Sequence, residues 1–347
     1  MPVIMDITPV KDIDWESPGN RLYHVPFTYD GEWARVRVPV SVICGHRPGK
    51  TLVAIGGTHG DEYEGPIGCK KLVAELEPER LSGRVIVIPV LNVPAFQADQ
   101  RESPLDGGNM NRAFPGDANG TITSRIAHFV THEVLSRADI VVDIHAAGTS
   151  MEIMRAASFH QIDDPELFRA HVETAFAFGM PFALVYTGGM GTGLLSEEAE
   201  KMGKITIGGE FGYGASADLE GVRWAYEGLK NVMKLHGLMP GELERLLPER
   251  FKRQVLAANT DIDRYITAPI SGIAEPLAPI GAFVNKGDPV VCIHDFDDIT
   301  NPGVIIQADR DGYVACRKFR ARTRQGDVVM VIAEEIPNPL AEGEGLQ

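Results

Sequence analysis

The chain has 347 residues and a formal net charge of −15, from 33 basic and 48 acidic residues. A 44% hydrophobic and 23% charged composition is that of an ordinary globular protein and argues against disorder as the main state. The acidic balance argues against nucleic acid or an anionic membrane as partner, and no run reaches the roughly 20 apolar residues of a membrane span.

The first twenty residues carry early acids and no basic segment followed by an apolar one, so a cytoplasmic location is expected. The four cysteines, Cys44, Cys69, Cys292 and Cys316, form no CxxC pair, and reduced thiols fit that location. Between residues 20 and 45, RLYHVPFTY and ARVRVPVSVIC read as strands, with the turn signal DGEW between them. This predicts an opening hairpin. TLVAIGG (51–57) and RVIVIPVLN (84–92) are nearly continuous apolar runs, as expected of strands buried on both faces. The segment between them repeats Ile67, Leu72, Val73 and Leu76 at helical spacing, with Pro66 in the first turn.

The alternation continues. A helix is predicted over 124–138 and a strand over 139–148. Then come a helix (PELFRAHVETAFAFG), a strand (FALVYTGG), a helix (LLSEEAEKMG), a strand (KITIGGEFGYG) and a longer helix (LEGVRWAYEGLKNVMKLHG). Such alternation predicts an α/β domain with a mostly parallel sheet. Residues 94–123 are rich in Gly, Asn, Asp and Pro, and a loop of that length is usually functional or disordered. Beyond about residue 255 the pattern becomes short strands with Gly and Asp turns. Residues 1–255 are therefore expected to form the α/β domain, and 256–347 a small β barrel or sandwich.

GGTHGDEYEGP places His59 and Glu62 just past a buried strand, where open α/β sheets bind ligands. His-x-x-Glu on a turn can bring an imidazole nitrogen and a carboxylate to one cation. The alternative is a capped turn with solvated acids. His145, closing IVVDIH, is the third candidate ligand, and His2Glu is a recognised catalytic zinc set with one position open to water. Period-two alternation puts Asp143 on the same side as His145, either supporting it or satisfied by backbone donors. Glu210 follows another apolar strand. It suits proton transfer from a metal-activated water to a leaving nitrogen, or else caps a turn. Arg101 and Arg112, beside Asn111, are the only cations of loop 91–116. Arginine matches a carboxylate bidentately and stabilises a developing oxyanion, which implies an anionic small substrate. The alternative is surface pairing with Glu102 and Asp106.

Together GGTHGDEYEGP, NVPAF, NMNRAFPG, DIHAAG and GGEFGYG resemble the succinylglutamate desuccinylase/aspartoacylase family. HGDEYEGP with SPLDGGNMNRAFPG is most similar, within it, to the N-acetyl-diaminobutyrate deacetylases of ectoine breakdown. The resemblance implies a zinc carboxypeptidase-like fold, a mostly parallel mixed sheet flanked by helices. It implies one zinc ion per chain on His59, Glu62 and His145, and Glu210 as general acid/base. Arg101 would polarise the scissile carbonyl, and Asn111 with Arg112 would grip the substrate carboxylate. The implied reaction is amide hydrolysis of a small anionic or zwitterionic N-acyl amino acid or N-acyl diamino acid, and a homo-oligomer is expected. FGYG after Glu210 departs from the proline-containing pattern of mammalian aspartoacylases, which argues against N-acetylaspartate.

GAFVNKGDPVVCIHD and DGYVACRKFRARTRQGDVVMVIAE resemble a biotinyl/lipoyl-type barrel-sandwich, with RDGYV where the modified lysine would stand. A structural role follows. YTGGMGTG lacks a Walker lysine and Rossmann spacing, so no nucleotide site is expected. His294 with Asp295, Asp297 and Asp298 is either a surface cation site or a solvated loop. The competing functions are a zinc carboxypeptidase acting on peptides and a non-catalytic binding protein on the same fold.

Overall fold

The computed structural model describes residues 3–29, 34–187, 191–259 and 265–340. β1 (Val3–Ile7) lies parallel to β2 (Gly19–Tyr29), and β2 pairs with β3 (Ala34–Cys44) as the expected hairpin. The DGEW turn, and residues 188–190 of YTGGMGTG, fall outside the described residues.

The apolar runs become β4 (Arg47–Gly56), β5 (Ser82–Ile88) and β6 (Ile140–Ile144). β7 (Met151–Ile153) and β8 (Ala156–His160) follow, then β9 (Phe182–Tyr186), β10 (Ile205–Glu210) and β11 (Val255–Asn259). The helices are α1 (Glu64–Glu75), α2 (Val93–Gln97), α3 (Ile122–Phe129) and α4 (Pro165–Ala177), then α5 (Leu195–Lys201), α6 (Leu219–Arg223) and α7 (Leu229–Leu235). The predicted helix 124–138 is not one regular rod. α3, capped by Thr121, widens into a π turn (Val130–Val134) and ends in a 3-10 turn (Leu135–Arg137). A second π turn (Trp224–Gly228) joins α6 to α7.

β5, β4, β6 and β10 are adjacent and parallel. Residues 52–55 of β4 are all buried, and pleat alternation sorts them. Leu52 and Ala54 face the core that holds Leu72, Val172 and Leu229. Val53 and Ile55 face the core shared with the hairpin and α3. Val85 and Val87 against Ile86 and Ile88 repeat the split. Each such buried Leu, Val or Ile side chain contributes about 1.5–3 kcal/mol. This two-sided burial is why the runs are continuously apolar.

β10 is where the sheet changes direction. Residues 205–207 pair parallel with β6, and residues 208–210 pair antiparallel with β8. β9 and β11 then follow parallel to β8. The sheet is therefore mixed.

The C-terminal residues form β12 (Ile266–Thr267), β13 (Gly272–Pro276), β14 (Phe283–Val284) and β15 (Pro289–His294). β16 (Val304–Gln307), β17 (Gly312–Lys318), β18 (Arg322–Thr323) and β19 (Val328–Glu335) complete them. Four make an antiparallel sheet in the order β16-β15-β13-β18. The others continue the large sheet: β19 pairs with β11, and β17 pairs with β19, β14 and β7. This backbone pairing joins the C-terminal unit to the α/β unit. The four cysteines are free and buried, and no helix among the described residues is long and apolar enough to cross a membrane.

Candidate active site

The carboxyl ends of β4, β6 and β10 lie side by side. β4 delivers the turn carrying His59 and Glu62, β6 ends just before His145, and β10 ends in Glu210. His145 and Glu210 form a parallel bridge, in which His145 N donates to Gly209 O at 3.1 Å and Phe211 N donates to His145 O at 2.9 Å. The turn after β4 is tight for a steric reason. A Cβ on Gly60 would stand 2.0 Å from the backbone carbonyl carbon of Ala95, in α2. Asp61, Glu62 and Glu64 are all buried, which removes the alternative of a turn with solvated acids.

Glu62 bridges two imidazoles. Its Oε1 lies 2.7 Å from His59 Nδ1 and its Oε2 lies 2.9 Å from His145 Nδ1. Oε2 also accepts from Ala146 N at 3.1 Å. One donor atom from each of the three side chains lies within 4.8 Å of the others. Burial opposes ionisation of Glu62, but the charges of His59 and His145 overcome it and hold the carboxyl well below its usual range. Burial likewise opposes protonation of His145, yet the carboxylates of Asp143 and Glu62 hold that ring well above its ordinary value. The cluster is thus built to stabilise positive charge. Arg101 already leans on it, with Nη1 3.2 Å from His59 Nδ1 and 3.3 Å from Glu62 Oε1. This cationic stand-in and the two-nitrogen, one-carboxylate donor set both fit a divalent metal of the zinc type.

The far ring nitrogens are also held. His59 Nε2 lies 3.2 Å from Asn109 Oδ1, and His145 Nε2 lies 2.8 Å from Asp143 Oδ2. Asp143 Oδ1 in turn accepts from Thr58 Oγ1 at 2.7 Å. These contacts select which nitrogen of each ring faces the donor cluster. Asn109 is a site residue that the sequence reading lacks, although it sits in the same NMNR turn as Asn111.

Glu210 lines the same pocket, and its inner oxygen Oε2 is buried with no hydrogen-bond partner. Desolvation first, and then the charge of Glu62, push its carboxyl up to about 8, against the pull of His145, Arg101 and Arg155. Asn111 Oδ1 accepts from Leu195 N at 3.0 Å, and its Nδ2 is 3.4 Å from His145 Nε2. Arg112 Nη1 donates to Asn111 O at 2.6 Å. Burial, and then the charge of Arg101, hold the Arg112 guanidinium below its usual value. The surface pairings drawn for these arginines are not those seen. Arg101 contacts Glu62, and Asp106 accepts from Thr123.

All seven candidate residues line one pocket of about 480 Å³. Part of the remaining wall comes from elsewhere: Leu184 and Tyr186 of β9, Asn259 of β11, and Cys316 and Val331 of the C-terminal unit. Asn259 Nδ2 donates to Tyr265 Oη at 2.7 Å, while its Oδ1 is buried and unpartnered. No local motif marks these wall residues, because strand pairing brings them there.

Residues 48–236 match the family model described as the succinylglutamate desuccinylase/aspartoacylase catalytic domain. The N-alpha-acetyl-L-2,4-diaminobutyric acid deacetylase of Halomonas elongata is 34% identical over 327 residues, 93% of this chain and 94% of its own. The crystal structure of a succinylglutamate desuccinylase/aspartoacylase from Rhodobacter sphaeroides aligns with a TM-score of 0.87 at 33% identity, covering 94% of this chain and 98% of that one. The product-bound ectoine utilization protein EutE (DoeB) from Ruegeria pomeroyi aligns with a TM-score of 0.83 at 32% identity, covering 93% and 97%.

Proposed function

The chain belongs to the succinylglutamate desuccinylase/aspartoacylase family, and from that premise we propose that it is a zinc-dependent amidohydrolase acting on Nα-acetyl-2,4-diaminobutyrate or a closely similar N-acyl diamino acid. The observation that carries this reading is the meeting of three metal-type donors, Glu210 and Arg101 in one pocket. The pocket volume of about 480 Å³ is that of a small-molecule site. Walls supplied by Cys316 and Val331 close it in, which favours a small acyl compound over a peptide. The choice of acetyl and diamino acid rests on the relative that is 34% identical over 93% of this chain.

The parallel run β5-β4-β6-β10 ending in His2Glu supports a zinc carboxypeptidase-like sheet. We divide the chain at about residue 255, with the C-terminal unit as a wall of the site. Free thiols support a cytoplasmic enzyme.

Zinc held by His59, Glu62 and His145 would supply Lewis-acid chemistry, polarising a carbonyl and acidifying a water. Glu210 takes a proton from the attacking water. It delivers that proton to the leaving nitrogen as the C–O bond forms and the C–N bond breaks. Acetate and a free amine result. Arg101 donates to the oxygen that gains charge on the acyl carbon. Arg112 and the amide group of Asn111 grip the substrate carboxylate.

The test is kcat/KM across N-acetyl and N-succinyl derivatives of 2,4-diaminobutyrate, aspartate and glutamate, with a C-terminal dipeptide alongside. Acetyl-diaminobutyrate is expected to rank first. A faster dipeptide would replace the deacylase with a carboxypeptidase. Silence throughout, with no metal retained, would leave a binding protein.

A further inference from the structure

β13 and β15 pair antiparallel with Glu275 opposite Cys292 and Ile273 opposite His294. Strand residues two apart share a face, and directly opposed residues share it too. Cys292, His294 and Glu275 therefore stand together on one face of the four-stranded sheet, on its two inner strands. Val291 and Ile293 point the other way, into the core of the C-terminal unit. Glu275 Oε2 lies 2.7 Å from His294 Nε2, and one donor atom from each of the three residues falls within 4.8 Å of the others.

The Cys292 thiol is buried even though its strand face looks away from that core. The segment 301–303 folds over it, bringing Pro302 O to 3.9 Å from Sγ. Gly303 has φ +96°, and a Cβ there would stand 2.6 Å from Cys292 Sγ and 3.2 Å from His294 Nδ1. Glycine keeps the space between thiol and ring clear. Two of the aspartates that the sequence sets beside His294, Asp295 and Asp298, serve the loop instead. Asp295 Oδ1 accepts from Asp297 N, and Asp298 Oδ1 accepts from Thr300 N and Oγ1.

We propose that Glu275, Cys292 and His294 form a second metal site, separate from the His59–Glu62–His145 cluster, that takes one divalent cation of the zinc type. None of the three lines the active-site pocket. One sulfur, one nitrogen and one carboxylate oxygen suit zinc and its neighbours, not magnesium or calcium. On binding, the thiol forms the sulfur–metal bond and releases its proton to solvent. Three protein ligands leave a further position for water. The ion ties β13 to β15.

Cobalt(II) added to the metal-free full-length protein tests this. The His59–Glu62–His145 cluster contains no sulfur, so a near-ultraviolet thiolate-to-cobalt absorption that depends on Cys292 reports the second site. The expected result is that band together with about two cobalt ions per chain, bleached by added zinc. Cys292→Ser and, separately, His294→Asn should each remove the band and one ion, with zinc-supported amide hydrolysis within about twofold of the parent. Absence of the band overturns the site. So does a band that survives Cys292→Ser, which would arise from another thiol, or one that survives His294→Asn. If Cys292→Ser fails to fold, the part-exposed His294→Asn change decides the matter with every thiol intact.

Discussion

Asp143 Oδ2 lies 2.8 Å from Nε2 of His145, two residues further along the chain and just past the end of β6. That contact occupies one ring nitrogen and turns the other, Nδ1, toward Glu62 at 2.9 Å. Asp143→Asn keeps the shape but removes the negative charge that orients the ring. Metal affinity should fall by about 10–100-fold. Competition against a chromophoric chelator measures it, and unchanged affinity would contradict the role.

Glu210 stands outside the donor cluster, with its inner oxygen unpartnered. Glu210→Gln should therefore leave metal content intact and lower kcat by about 10²–10⁴-fold, the range for loss of a general acid/base. Zinc analysis beside steady-state kinetics checks both halves. Near-normal turnover would remove Glu210 from the chemistry.

The two arginines should separate kinetically. Arg101, in contact with His59 and Glu62, is expected to act on the charge that develops during reaction. Arg101→Ala should lower kcat by about 10²–10³-fold with little change in KM. Arg112→Ala should chiefly raise KM, because a carboxylate grip is made equally in ground and transition states. The reverse pattern would exchange their roles.

His236 predicts acid sensitivity away from the pocket. Its Nε2 lies 2.9 Å from Thr174 Oγ1, and its Nδ1 lies 3.3 Å from Lys50 Nζ. Burial, and then the Lys50 charge, lower its pKa from 6.5 to about 4. Between those values the unfolded chain takes up a proton that the folded chain refuses. This contribution to stability is complete above pH 6.5 and is lost as pH falls from 6.5 toward about 4. Urea midpoints from about pH 7 to about pH 4.5 should fall less steeply for His236→Gln than for the parent. Equal slopes would contradict the assignment.

The metal-type ligands are legible in the sequence because a strand buried on both faces carries few polar groups until the chain emerges. His59, Glu62, His145 and Glu210 are the polar residues met where three such strands end. Asp143 is legible too, from alternation alone. Asn109 is not, because its contact with His59 depends on the path of a loop without periodicity. β8 is equally hidden. AASFH is short and alanine-rich, and its strand form comes from pairing with β9 and residues 208–210. The same holds for Asn259 and Glu275, whose neighbours follow from strand register and not from local sequence.

The most direct test of metal-dependent hydrolysis is amine release from Nα-acetyl-2,4-diaminobutyrate before chelation, after it, and after zinc is restored. Release should stop when His59, Glu62 and His145 lose their ion and return with about one zinc per active site. Release that continues unchanged in protein stripped of metal would contradict the account.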